Sequence, residues 1–181
     1  MTGDVPSKVP VYTPPPRMNL QLMALQDKIN LTKIPLISSG LIERDRSQFQ
    51  VYALQAATRS EVDNGYQAVM MRHLRASHIA VSWDADGDED EWIRYDDGEH
   101  KAARTIAQSL KQADLKGVAL YMVRIHGGQN MGPKRFATMK EGAQKALEAY
   151  GVVHNINITF DPAAEAMGPN TTEGDMATME V

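Results

Sequence analysis

The sequence predicts an α/β protein, an α+β two-layer sandwich in which helices pack against a mixed β-sheet. Three observations carry that expectation. Strand-like stretches interleave with stretches of helical apolar period, without strict βαβ alternation. Val118–Ile125 (VALYMVRI) is the most apolar run in the chain, as a central strand requires. Phe136, Met139, Ala143, Ala146, Leu147 and Tyr150 form a helical stripe broad enough to cover a sheet.

The elements follow in order. Five of the nine prolines, Pro6, Pro10, Pro14, Pro15 and Pro16, lie at the N-terminus. Proline has a fixed φ and no N–H, so this arm is expected to be extended and solvated. Leu20, Met23, Leu25 and Ile29 give a weak helical signal over 19–30. Phe49–Ala56 reads as a strand. Ser60 offers an N-cap, and Val62, Tyr66, Val69, Met70, His73 and Leu74 follow at helical spacing. Ile79–Trp83 and Trp92–Tyr95 read as short strands. Glu99–Ala113 reads as a helix with Ala103, Ile106, Ala107 and Leu110 inward. Gly117 opens the central strand. Pro133 suits the first turn of the last helix, and Gly151 is expected to stop it. Ile156, Ile158 and Phe160 alternate as an edge strand would. Residues 161–181 hold five acids and no base, and too few large apolar groups to offset ordering entropy. The expected organisation is an arm with a short helix (1–37), one folded domain (38–160) and an acidic tail (161–181).

Composition narrows the function. With 43% apolar and 23% charged residues, the chain is globular and large enough to fold without staples. It has no cysteine, which removes disulfides, Cys-ligated metals and thiol nucleophiles. No run of about 18 apolar residues exists, so no membrane span is expected. MTGDVPSKVP has no apolar signal core, and a cytoplasmic location follows as the expectation. A net charge of −4 disfavours a globally basic nucleic-acid binder, while leaving room for a local basic patch.

Few motifs carry chemistry. The acidic run from Asp84 to Glu91 does not fit a calcium loop, since Glu89 and Tyr95 stand where an EF-hand needs Gly and Glu. It reads as a solvated turn. At Asp97-Gly98-Glu99, Asp97 can cap the following helix and Gly98 can make the bend. The stretch His126-Gly127-Gly128-Gln129-Asn130-Met131-Gly132-Pro133-Lys134-Arg135 follows the central strand and enters a helix. Free amides at a helix start attract anions, and Lys134 and Arg135 add charge. His126, Gly127, Gly128, Gly132, Lys134 and Arg135 are therefore the candidate anion or RNA site; the alternative, which spacing alone favours, is a structural glycine turn. The stretch matches neither the Walker A nor the GxGxxG pattern. The five histidines show no metal-ligand pairing, and no GxSxG nucleophile occurs. The expectation is no cofactor, no metal, no catalytic residue and no small-molecule substrate.

Four segments, in order, resemble the IMPACT family, whose bacterial members include the YigZ-type proteins. Asp45-Arg46-Ser47-Gln48-Phe49 is similar to its entry strand, and Ala76-Ser77-His78 to its A-[ST]-H strand. Asp96-Asp97-Gly98-Glu99 with Ala102-Ala103-Arg104 resembles its DDGE helix start. Val123 to Gly128, then Met131-Gly132-Pro133-Lys134-Arg135-Phe136, resembles its R-x-x-G-G and G-P-x-R pair. The resemblance spans about residues 38–150. The sequence departs from the family pattern at Ile79, Ala103 and His126. The resemblance implies a shared surface built by His78, Asp96, Asp97, Gly98, Glu99 and Arg104. It implies the fold of ribosomal-protein domain 2, a mixed sheet with a left-handed βαβ crossover, and here a bare domain without the RWD or ferredoxin-like partner domains of relatives. It also implies a role near translation, where eukaryotic members restrain a kinase of initiation factor 2 alpha.

Three functions follow as expectations. The first is a non-enzymatic regulatory protein that binds a protein partner, or RNA, of the translation apparatus. The second is a component of a larger assembly that binds through its tails. The third, given least weight, is a hydrolase with Asp97, Glu99 and His78 around a metal.

Overall fold

The computed structural model describes residues 11–87 and 91–167. The expectations for Pro6, Pro10, residues 88–90 and residues 168–181 lie outside them. The elements are α1 (Leu25–Thr32), β1 (Ile37–Ser38), β2 (Ile42–Arg44), β3 (Ser47–Gln55), α2 (Arg59–Arg72), β4 (His78–Asp84), β5 (Trp92–Tyr95), α3 (Ala102–Gln112), β6 (Val118–Ile125) and α4 (Lys134–His154). A short 3-10 turn covers Pro162–Met167.

The α+β sandwich forms as expected, with helices layered on one sheet. The strand order is β1-β3-β6-β4-β5, with β2 also pairing β3. β6 is central, and all its residues but Ile125 are buried. It runs antiparallel to β3 from Gln48↔Ile125 to Gln55↔Val118, and antiparallel to β4 from His78↔Arg124 to Asp84↔Val118. The sheet is not mixed: every neighbouring pair among the described strands is antiparallel. The reason is that β6 inserts between β3 and β4. Those two are parallel and joined through α2, yet never touch.

Side chains of alternate residues divide the core. Phe49, Val51, Leu120 and Met122 face α3 and α4, which add Ile106, Leu110, Met139 and Leu147. Tyr52, Trp83, Tyr121 and Val123 face the other way, where α2 covers them with Val62, Tyr66 and Val69. Trp83 is fully buried, and its indole Nε1 donates to the Ala56 carbonyl at 2.8 Å.

Several local expectations are corrected. The α2 cap is Thr58, whose hydroxyl accepts from the Glu61 amide; Ser60 lies inside the helix. Leu74 falls beyond the helix and is exposed. In α1, Leu25 and Ile29 are exposed and Leu31 is the buried residue. Gly151 does not stop α4, which runs to His154 and ends on Asn155 at φ 56°. Gly151 is needed for close approach instead: a Cβ there would stand 2.7 Å from the Ile156 carbonyl. Ile156–Phe160 forms no strand, although Ile158 and Phe160 still pack on the core. Nor is the arm wholly solvated. Tyr12 is buried, its hydroxyl donates to Asp63, and its ring meets Tyr95 edge-on.

Candidate functional site

Arg124 is the last buried residue of β6, and the register sets it between Phe49 on β3 and His78 on β4. All three side chains belong to the face covered by α3 and α4. Both helices begin at this end of the sheet. The loop before α3 supplies Glu99, and the first turn of α4 supplies Arg135.

These residues meet on one carboxylate. Glu99 is 4% exposed. Its Oε2 accepts from Arg124 Nη1 at 2.8 Å, and its Oε1 lies 2.8 Å from Arg135 Nε. His78 Nε2 stands 3.5 Å from Oε2. Burial of a lone carboxylate costs several kcal/mol, about enough to cancel much of a domain's stability, and two guanidinium groups offset that cost here. Arg124 also reaches Ser47 Oγ at 3.4 Å and lies over the Phe49 ring. Arg135 lies over the Phe136 ring, 4.7 Å from its centroid.

The rest of the acidic turn is positional. Asp96, rather than Asp97, caps α3: its carboxylate accepts from the amides of Ala103 at 2.9 Å and Lys101 at 3.3 Å. Asp97 sits at φ 51°, and its Oδ2 accepts from the Ile79 amide at 2.8 Å. The Tyr95 hydroxyl and Arg17 also bond it. Its carbonyl is 2.8 Å from His78 Nδ1. Gly98, at φ 80°, brings the turn against that imidazole. Ile79 is fully buried in the α2-side core, and Ala103 is buried beneath α3, so two of the three departures from the family pattern are packing positions. Arg104 stands outside the Glu99 cluster, on a groove between α3 and α4.

The glycine loop is tied down from within. The Gly127 amide donates to Ser47 Oγ, the Gly128 amide to His126 Nδ1 and the Gly132 amide to Asn130 Oδ1. Gly127 must be glycine, because a Cβ would lie 2.2 Å from the Arg46 carbonyl oxygen. Thus His126 holds the loop, and Arg135 points inward to Glu99. Lys134 is exposed. Among the described residues no group of three or more His, Asp or Glu side chains is arranged to hold a metal, and both Glu99 oxygens already face guanidinium groups.

Sequence reasoning had singled out the pieces but missed Arg124, the hub. It also missed Asp84, which was assigned to a solvated run. Asp84 is 6% exposed and pairs with Arg94 at 2.9 Å and Lys111 at 3.4 Å. The two-residue period of a strand was the available signal, since it places Asp84 on the same face as Ala80 and Ser82.

An antiparallel sheet whose two covering helices start on one shared buried carboxylate defines an α+β domain with a prearranged polar surface. The chain belongs to the family described as the Impact N-terminal domain, which matches residues 45–147. One similar solved structure is described as a crystal structure of a hypothetical protein; it is 20% identical with a TM-score of 0.57, covering 68% of this chain and 58% of its own. Another is the two-domain translational regulator Yih1, 20% identical with a TM-score of 0.42, covering 74% of this chain and 54% of its own. The first likeness shows the shared fold. The chain matches little more than half the length of either structure. No curated protein matches it. No helix among the described residues is long and apolar enough to cross a membrane.

Proposed function

We propose that this chain is a non-enzymatic regulatory protein of the translation apparatus, acting in the cytoplasm by binding a protein partner on the ribosome. Family membership supports the association with translation. The partnered state of the family's carboxylates supports binding over chemistry. Glu99 is clasped by Arg124 and Arg135, Asp97 by an amide, a hydroxyl and Arg17, and the loop amides by side chains. A carboxylate serving as general base or metal ligand keeps a lone pair available to its substrate. One held between two guanidinium groups instead fixes the shape of a surface.

An RNA contact through the Gly-Gly loop draws less support. Three of its amides already donate within the protein, which leaves Lys134 as the exposed cation of that stretch. The assembly reading also draws less, because Tyr12 and Arg17 of the arm bond the domain itself.

The test is density-gradient sedimentation of the full tagged chain in cell lysate. Migration with ribosomal particles, surviving nuclease trimming of exposed RNA, is the expected result. A chain that stays with the free proteins at low salt overturns the reading. Co-migration abolished by the trimming assigns the contact to RNA instead.

A further inference from the structure

The N-terminal arm is strapped across the domain at two points. Tyr12 is buried, with its hydroxyl donating to Asp63 of α2 and its ring edge-on to Tyr95 of β5, centroids 5.9 Å apart. Tyr66 stands against the same Tyr95 at 6.3 Å, so Tyr12 enters a notch made of two aromatic rings and one carboxylate. Further along the arm, Arg17 Nη2 lies 3.2 Å from Asp97 Oδ2. Pro14, Pro15 and Pro16 fill the interval. Their fixed φ favours an extended polyproline II backbone, which spaces the two anchors without internal hydrogen bonds. Pro14 and Pro15 are partly buried. Beside Arg17 a hollow of about 320 Å³, lined also by Met18, Met70, Leu74 and Ala76, stays open among the described residues. Leu74 is 62% exposed. The arm therefore leaves part of the track it lies on uncovered.

We infer that the track between α2 and β5 is a docking groove for a proline-rich segment of a partner protein, tyrosine on Asp63 and arginine on Asp97, and that the chain's own arm occupies it in cis. The seated arm names the ligand chemistry. Aromatic walls receiving a proline-rich segment are a recurring recognition mode, because such a segment has little backbone entropy left to lose. Two acids at a set spacing select a hydroxyl donor and a cation, and they repel an acidic peptide or a nucleic acid. The hold is reversible. The Arg17 side chain is 50% exposed, so its ion pair with Asp97 is weak. A larger apolar residue after the arginine would fill the hollow beside Leu74 that Met18 leaves open. An attached arm competes at an effective concentration of about millimolar, so the groove stays shut until a better segment displaces it. Displacement also takes Arg17 from Asp97, which joins this groove to the acidic turn. The groove is defined by its own occupant, independently of the association with translation.

Fluorescence anisotropy with the full chain tests this, using a labelled synthetic peptide of residues 11–20 as the proline-rich probe. Wild type, with its arm seated, is expected to bind the probe weakly. The Y12A/R17E variant loosens the arm and should bind it at least about tenfold more tightly, because a seated arm lowers apparent affinity by the fraction of molecules whose groove is open. Adding D63A to that variant should remove the gain. So should a probe with alanine for its tyrosine and glutamate for its arginine. If Y12A/R17E is unstable, R17E alone, at a half-exposed side chain, gives the same direction with a smaller gain. No saturable binding by the loosened variants, equal affinity for wild type and variants, or undiminished binding of the altered probe overturns the inference. A wild-type dimer in gel filtration that Y12A/R17E abolishes also overturns it, and assigns the groove to the arm of a second copy. Sedimentation with ribosomal particles is a separate measurement, and would stand if the groove assignment fell.

Discussion

Two buried carboxylates stand at opposite ends of β4, and the chain neutralises each with two cations. Glu99 lies beside His78, the first residue of the strand; Asp84 is the last. Both are nearly inaccessible. Their cations differ. Glu99 takes arginines from β6 and α4, both delocalised guanidinium groups that can bond an oxygen in a fixed geometry. Asp84 takes Arg94 from β5 and Lys111 from α3. Burial lowers the pKa of Arg94 and of Lys111, against the pull of Asp84. The first cluster fixes where two helices begin and so shapes a surface. The second fastens a helix to the edge of the sheet. The same electrostatic problem is solved once to build a site and once to close a fold.

The comparison breaks most sharply at Glu99. The E99Q variant keeps the volume but turns one accepting oxygen into a donating NH2, and it leaves two guanidinium groups uncompensated. Removing one side of a buried pair costs about 3–5 kcal/mol, and that loss is expected in chemical denaturation. A loss below about 1 kcal/mol would show that water reaches the cluster and that it acts as a surface pair.

At the other end, D84N should cost less, about 1–3 kcal/mol, the range for leaving a buried polar partner unmet. Lys111 is the cause of the difference. Its side chain is 18% exposed, and its long stem lets the ammonium turn to water once Asp84 no longer holds it. An effect equal to that of E99Q would erase the distinction between the two ends.

The two ends also differ in how far the sequence revealed them. The strand over 118–125 was legible because a short fold uses its most apolar segment centrally, and the edge strand over 92–95 because Trp92, Ile93 and Tyr95 are residue types that strands favour. The Glu99 end was legible in pieces, since DDGE and GPKR are unusual strings. What joins them was not. Arg124 sits inside an otherwise apolar strand, and only the β4–β6 register brings it to His78. The antiparallel sheet was likewise hidden, because pairing order is a long-range property that local periodicity does not encode. Asp84 was lost to the acidic residues that follow it. In a run of like charges the charge pattern alone does not distinguish a carboxylate that turns inward. Tyr12 escaped for a related reason: the prolines around it set an extended backbone but do not say what that backbone lies against.

The smallest effect concerns Lys111 and asks whether its charge helps the fold at all. Near neutral pH the K111M variant should differ from wild type by about 1 kcal/mol or less, because the gain from pairing with Asp84 is set against the cost of burial. The pH dependence separates the two. Burial lowers the folded pKa of Lys111 below its ordinary 10.5. Between the lowered value and 10.5 the unfolded chain therefore binds more protons at this site than the folded one, and this group makes stability rise with pH there. The buried phenols of Tyr12, Tyr66 and Tyr121 act oppositely, since burial raises their pKa and the fold loses stability as pH climbs above their usual 10.0. Both chains contain those tyrosines, so subtracting the unfolding free energies of K111M from those of wild type at each pH removes them. The difference should climb in favour of wild type as the alkaline side is approached. A flat or falling difference would mean that Asp84 holds Lys111 as firmly as Arg124 and Arg135 hold Glu99, and the two ends of β4 would then be energetically alike.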